Sequence, residues 1–422
     1  MLLALISWPA HPLPAVADES GAHETIQPSG DADTDTANLI AAVSRSNVVK
    51  LVDGATYTIN STVAIRNPTV LCGKATVISG TRRELIQVVS ADVAIRGITF
   101  DGNGKSNYPG MIRVYKGSHR FAFSDGVIQN VHSGKKGVGN LYPLWISVDG
   151  VNDWLVRSSR FQDISNHGDG KPIGKGFVGA FRYGDVVNDT NPLTPVTIPS
   201  NGRITGCTFR DIFTVTDKLN DIDADAIRAS VSMPSDADVD VVLRIEDCAF
   251  EDVQKSAVKA AHIGGVVIDN CIVTNRRTDF PMSFGFRTNT TTGFRVHHCE
   301  IRGNVLRGVY LGNGGPCIVS DLIFRPNDPV KVGDSQGLVA DSAVQLGARN
   351  NPARFVKRAV IHDVYVSNAR RGIYGANCDW INVSNITLAK GVETVTMPTA
   401  AKRIELSNTP SPFEPLADTS PR

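Results

Sequence analysis

Short segments of alternating apolar and polar residues recur along the chain with one residue type in a fixed register. Ile204-Thr205-Gly206-Cys207-Thr208-Phe209, Ile245-Glu246-Asp247-Cys248-Ala249-Phe250, Ile268-Asp269-Asn270-Cys271-Ile272-Val273 and Val296-His297-His298-Cys299-Glu300-Ile301 each carry a cysteine at the same place. Between them lie second strands with matching residue types: Ala226-Ile227-Arg228-Ala229, Ala257-Val258-Lys259-Ala260, Gly285-Phe286-Arg287-Thr288 and Gly308-Val309-Tyr310-Leu311. Alternation predicts strands, and self-similarity at roughly 20–50 residues predicts a solenoid. The cysteine register extends to Ile98, Gly126, Ser159, Leu322, Val364 and Ile386, which gives about ten coils of a single-stranded parallel β-helix. Long gaps between register positions mark excursions at Asn166–Ser200, Val215–Ala224 with Ser232–Asp240, and Arg325–Ser335, where binding residues concentrate on a rigid scaffold.

Ahead of the coils, Asp35 or Thr34 can cap a short helix whose Leu39, Ile40 and Val43 face one way. Such a helix would cover the raw end of the solenoid, whose strand edges are otherwise open to other chains. The first 17 residues hold the apolar run Leu2–Ile6 and end Ala15-Val16-Ala17, the pattern of a signal peptide, although no Lys or Arg precedes the run. The expected division is therefore a signal peptide at 1–17, a cap at 18–60, the β-helix at 61–392 and a closing segment with a tail at 393–422. Export to a secreted or periplasmic location is the corresponding expectation.

Lys and Arg number 43 against 42 Asp and Glu, a net charge of +1, so the balance gives no case for nucleic-acid binding and any electrostatics must be local. No stretch after the leader approaches 18 consecutive apolar residues, so no membrane span is expected. Seven cysteines in an exported chain could signal disulfides, but the count is odd and the register is elsewhere filled by Ile, Gly, Ser, Leu and Val. That pattern predicts small buried side chains, and no CxxC-type zinc site is present.

On the second strands, an inward series Ile112, Phe181, Ile227, Val258, Phe286, Val309, Val344 and Ile373 leaves Arg113, Arg182, Arg228, Lys259, Arg287, Tyr310, Gln345 and Tyr374 facing outward. The coil near Trp145 is ambiguous in register. Stacked at the normal strand spacing of about 4.8 Å, Arg182, Arg228, Lys259 and Arg287 would form one cationic row. Like charges so close require carboxylates alongside or an anionic ligand, and Asp221, Asp223 and Asp225 alternate just before Arg228. The small Ala226, Ala257, Gly285 and Gly308 suggest a trough beside the row, and Tyr142, Tyr183, His167 and Trp145 an aromatic wall for sugar rings. A solvated basic face and a turn pairing Asp223 or Asp225 with Arg228 are the plainer alternatives. His297 and His298 lie on another face.

The head through Gly97-Ile98-Thr99-Phe100-Asp101-Gly102-Asn103-Gly104 resembles the pectate-lyase-like superfamily of right-handed parallel β-helix proteins. Lys255-Ser256-Ala257-Val258-Lys259 and Gly285-Phe286-Arg287-Thr288-Asn289 are similar to the alginate lyase and chondroitinase B group, in which a strand lysine is the base and an arginine on the next coil assists. The histidine beside that arginine is Thr288 here, and the group's acidic calcium ligands are not evident. Against polygalacturonase-type hydrolases, the aspartate pair reads Ala224-Asp225 and the Gly-His-Gly reads Ser256-Ala257, although Asp223 and Asp225 could still supply two carboxyls.

These resemblances imply a lyase that cleaves an acidic, uronate-containing polysaccharide by β-elimination. Lys259 would be the base, Arg287 and Arg228 the carboxylate clamp, Tyr183 or His167 the proton donor, and Arg182, Tyr310 and Asp221 further contacts. Asp223 and Asp225 would either orient Arg228 or hold a Ca²⁺. A glycoside hydrolase using Asp223 and Asp225, and a non-catalytic carbohydrate-binding protein, are the alternatives, because fold does not fix function. Nothing in the sequence fixes whether several chains assemble.

Overall fold

A computed structural model describes residues 23–81, 84–104, 110–132, 141–147, 151–165, 178–184, 201–214, 223–230, 243–261, 263–289, 292–332, 335–347, 355–375, 377–396 and 403–407. The expected leader at 1–17, and much of the excursions at 166–200, 215–224 and 232–240, lie outside these residues. Among the described residues one helix, α1 (Ala32–Arg45), follows a short strand at Glu24–Ile26 and precedes the coils. Its N-cap is Asp31, whose carboxylate accepts from the Thr34 amide at 2.8 Å. Asp35, expected as a cap, lies inside the helix, and its carboxylate accepts from the Ser29 amide at 2.7 Å and the Thr58 amide at 3.2 Å. Leu39, Ala42 and Val43 face the core, whereas Ile40 is exposed because it falls outside that stripe.

Every coil adds one strand to a twelve-stranded sheet whose order follows the chain. Its strands are β1 (Val63–Ile65), β2 (Ile86–Val88), β3 (Ile112–Val114), β4 (Leu144–Ile146), β5 (Phe181–Gly184), β6 (Asp225–Ser230), β7 (Ser256–Ala261), β8 (Phe284–Asn289), β9 (Arg307–Leu311), β10 (Ala340–Leu346), β11 (Ala369–Gly375) and β12 (Glu393–Thr396). All neighbours in it are parallel. The remaining long strands form a 23-stranded sheet that closes each coil, so the molecule is a right-handed parallel β-helix. The count read from sequence starts at Ile98 and so omits the rungs of β1 and β2. The excursion after Arg325 contains an antiparallel hairpin, Val330–Val332 with Ser335–Leu338.

The cysteine column bends the larger sheet. Gly97, Asp125, Ser158, Gly206, Asp247, Asn270, His298, Asp321, Asp363 and Asn385 precede the ten register positions, and every one has a positive φ, from 46° to 73°. Asn, Asp and Gly enter this region at least cost, and the turn aims the next residue inward. The Cys248 and Cys271 thiols donate to the carbonyls of Glu246 and Asp269, each at 3.2 Å. Ser159 makes the same bond to the Arg157 carbonyl at 2.7 Å. Cysteine and serine thus satisfy a corner carbonyl while remaining small enough for the interior. All seven cysteines are buried and free. Inside the coils, Phe161, Phe209 and Phe250 stack with centroids 4.9 and 5.1 Å apart, a repeat set by the strand spacing.

Candidate active site

At the entry to β6–β9 the alternation slips by one residue, and two consecutive side chains face the core. Ala226 with Ile227 and Ala257 with Val258 are fully buried there. A Cβ on Gly285 would lie 2.5 Å from Ile301 Cδ1, and one on Gly308 would lie 3.3 Å from Phe324 Cδ2, so the small residue of each pair fills a tight corner. The trough expected from these small residues is therefore absent. The slip brings Asp225 and Ser256 to the outer face instead, beside Arg228 and Lys259.

The row itself forms in full. Arg113 pairs in register with Trp145, Trp145 with Arg182, Arg182 with Arg228, Arg228 with Lys259, Lys259 with Arg287, and Arg287 with Tyr310. Gln345 and Tyr374 continue it. This settles the coil that the sequence left open, with Trp145 on the row.

Asp223 joins three of these cations. Its Oδ2 lies 2.9 Å from Arg228 Nη1 and 3.2 Å from Lys259 Nζ, and its Oδ1 accepts from Arg287 Nη2. The same Arg287 nitrogen reaches Asp225 Oδ1 at 2.9 Å, and Arg287 Nε donates to Ser256 Oγ at 3.0 Å. Ser256 in turn donates to Asp225. Arg228 and Lys259 are only 8 and 9 % exposed, and Arg182 only 1 %. At this depth charges are weakly screened, so the pairing matters energetically.

The electrostatics follow from that placement. Burial pulls the Lys259 pKa down, and the neighbouring Arg287 and Arg228 guanidiniums push it further, to about 8, against the opposing pull of Asp225 and Asp223. For Asp223, burial disfavours the carboxylate but is outweighed by Arg228, Arg287 and Lys259, which hold it well below the usual carboxylate range. Lys255 is likewise lowered by burial and by Arg287. A donor set already bonded to three cations does not fit a Ca²⁺ at Asp223 and Asp225, and among the described residues no group of three His, Cys, Asp or Glu could hold a metal ion.

The aromatic wall is rearranged. Tyr183, expected to face substrate, follows Arg182 on the strand and so points inward, 1 % exposed, with its ring 5.1 Å from Trp154. Trp145 does flank the row, but its faces are covered by guanidiniums, Arg113 at 3.5 Å and Arg182 at 4.9 Å from the ring centroid. Tyr142 is buried beside Arg182 at 5.0 Å. Tyr310 extends the row, with its ring 5.1 Å from Phe284. His167 and Asp221 lie outside the described residues. Ser256 and Phe284 were missed from sequence, although each stands one residue before a small-large inward pair, the place that Asp225 holds on β6.

Residues 233–402 match the family model described as right handed beta helix region. No curated protein sequence matches the chain. Similar solved structures include the Yersinia enterocolitica family 28 exopolygalacturonase, at 10 % identity and a TM-score of 0.54 over 90 % of this chain and 76 % of that one. The catalytic unit of a GH87 α-1,3-glucanase from Streptomyces thermodiastaticus is similar at 13 % identity and 0.51, over 90 and 69 %. The Streptococcus pneumoniae surface protein and adhesin PfbA is similar at 14 % identity and 0.50, over 92 and 100 %. At such identities the likeness is one of fold.

Proposed function

We propose that the chain is an exported enzyme that cleaves an acidic, uronate-containing polysaccharide by β-elimination on the outer face of β5–β9. The observation that carries this reading is the placement of Lys259, held between Arg228 and Arg287 in one register column and facing the carboxylate that both arginines share. In β-elimination the base removes a proton next to the substrate carboxylate, and the acidity of that proton rises when cations stabilise the developing enolate. Among the described residues, Arg228, Lys259 and Arg287 gather around Asp223 and Asp225, with Arg182 next to Arg228 in the same column, a cationic setting suited to an anionic sugar. Each guanidinium has five donors, so Arg287 and Arg228 can clamp the substrate carboxylate without releasing Asp223 and Asp225. Lys259 then takes the proton as its neutral amine, a form that burial and its arginine neighbours favour. With Tyr183 in the core, His167 is the donor of this scheme that returns a proton to the leaving oxygen.

A hydrolase using Asp223 and Asp225 is the second reading, favoured by the arginine nitrogen on which both carboxylates meet. That meeting point holds them closer than the roughly 6.5–9.5 Å an inverting pair needs. The salt bridges of Asp223 also keep it ionised, which suits it poorly to protonate a leaving oxygen. The similar structures are those of an exopolygalacturonase, an α-1,3-glucanase and an adhesin, so this scaffold serves both cleavage and adhesion.

The test is incubation with a panel of acidic and neutral polysaccharides, following ultraviolet absorbance of unsaturated ends and, separately, reducing sugar. A rise in both supports the lyase. Reducing sugar alone establishes the hydrolase, and binding without either establishes a carbohydrate-binding role. An unchanged elimination rate in Lys259→Ala would remove the assignment of the base.

A further inference from the structure

Lys255 stands one residue ahead of β7, on the rung between Asp225 and Phe284. Its amide donates to the Ala224 carbonyl at 2.9 Å, and its own carbonyl accepts from the Phe284 amide at 3.0 Å. The side chain is half-buried, yet its ammonium makes neither a hydrogen bond nor an ion pair with a described residue. The carboxylates nearby are committed to other cations. Asp223 and Asp225 hold Arg287, Asp223 also holds Arg228 and Lys259, and Asp341 is shared between Arg307 Nε at 3.1 Å and Arg371 Nη1 at 3.2 Å. Burial and the like charge of Arg287 lower the Lys255 pKa, and Arg307 adds a smaller push against the pull of Asp225 and Asp223. Phe284 orients the two guanidiniums: Arg307 Cζ lies 5.4 Å and Arg287 Cζ 5.7 Å from its ring centroid. Arg287 bonds the protein through Nε and Nη2, and Arg307 through Nε alone. Arg287 Nη1 and both terminal nitrogens of Arg307 therefore donate to no described residue, and the Arg307 side chain is 31 % exposed.

We infer that Lys255 and Arg307, with the outer edge of Arg287, form a second anion-binding position that takes a carboxylate or sulfate on the sugar next to the one at Lys259. This deepens the acidic-polysaccharide reading of the Lys259 site, on which it rests, by requiring anionic groups on consecutive sugars. Arg307 lies two rungs from Lys259, about 10 Å at the strand spacing, and Arg287 belongs to both positions, so no other side chain has to be crossed between them. An anion there supplies what the protein leaves out, a partner for the Lys255 ammonium and for the free guanidinium donors around it.

The test uses hexasaccharides of three kinds: an oligouronate, a uronate alternating with a sulfated amino sugar, and a uronate alternating with an uncharged amino sugar. Binding to the full chain carrying Lys259→Ala is measured by calorimetry, so that turnover does not interfere. A ligand with an anion on both sugars is expected to bind about tenfold tighter than the one with an uncharged neighbour, the size of one charge-assisted contact, and which of the first two does so tells carboxylate from sulfate. Adding Lys255→Gln or Arg307→Gln should remove most of that advantage. Arg307→Gln also breaks the bond to Asp341, and thermal unfolding shows whether that variant folds, whereas Lys255→Gln breaks no ion pair and keeps the test open. No advantage for a second anion, an advantage that survives Lys255→Gln, or an equal loss on all three ligands would overturn the inference. The unsubstituted protein is assayed for unsaturated ends on the same hexasaccharides. Lys255-dependent preference without such ends would sink the lyase while leaving this position standing, unsaturated ends formed without that preference would sink this position alone, and no binding of any of the three would sink both.

Discussion

Lys259 and Asp223 are both shifted downward, for different reasons: burial and the neighbouring arginines lower Lys259, whereas at Asp223 the surrounding cations outweigh the opposing effect of burial. Folding lowers the Lys259 pKa from 10.5 to about 8, so between these values the unfolded chain holds a proton that the folded chain has lost. Its contribution to stability therefore rises with pH across that window, and the urea midpoint of the parent protein should climb there relative to Lys259→Met. The same ionisation places the rising limb of kcat/KM near pH 8, and Lys259→Ala should lower the rate by about 10²–10⁴, as expected for loss of a general base. Asp223 is depressed, so its contribution is present above the unfolded carboxylate pKa and is lost as the pH falls through its folded value. Asp223→Asn leaves three buried cations short of a shared partner, and a loss of about 3–5 kcal/mol in denaturant unfolding is expected, with a flatter acid limb. The row of Arg182, Arg228, Lys259 and Arg287 was legible at this scale because each stands at the same offset in a repeated segment. Tyr183 was misplaced for a related reason. A residue next to an outward one faces inward, and an aromatic type gives no sign of which face it takes.

The corner that precedes each cysteine-register residue is the element on which the coil depends. Asn270, with φ 49°, is one of its ten left-handed residues. A β-branched side chain is most strained in that region, so Asn270→Val should cost about 1–3 kcal/mol in thermal or urea unfolding, whereas Asn270→Gly should be close to neutral. Cys271→Ser should be tolerated, since Ser159 makes the equivalent carbonyl bond at its own rung. The sequence reading found the register and its inward sense but not the corner. Gly, Asp, Asn, Ser and His share no hydropathy, and only their common backbone conformation unites them. The second slip, at Ala226, Ala257, Gly285 and Gly308, was likewise hidden. Small residues look alike whether they line a trough or fill a tight interior corner, and Ile301 and Phe324, which decide the matter, lie on other strands.

Across the whole molecule the coils share one continuous apolar interior, into which six of the seven cysteines project, while Cys72 is buried in a separate small cluster with Val48, Val70, Ala94 and Ala122. Burial disfavours the thiolate, as at Cys317, where it raises the pKa to about 12. A thiol reagent should accordingly label no buried cysteine in the native protein within minutes and all seven after denaturation, and reductant should leave the melting temperature unchanged. Native labelling at the rate of exposed thiols would contradict this packing. Periodicity within the chain determined the solenoid, the inward cysteines and the cationic column, because a repeat of strand, corner and strand writes the same hydropathy into every coil. Only the tertiary structure decided which acids meet which bases. Asp223 is 36 residues from Lys259 and 64 from Arg287, and their contact depends on a one-residue slip in side-chain direction. Neither the distance along the chain nor the slip leaves a mark on hydrophobic pattern, since both arise from how one coil seats on the next.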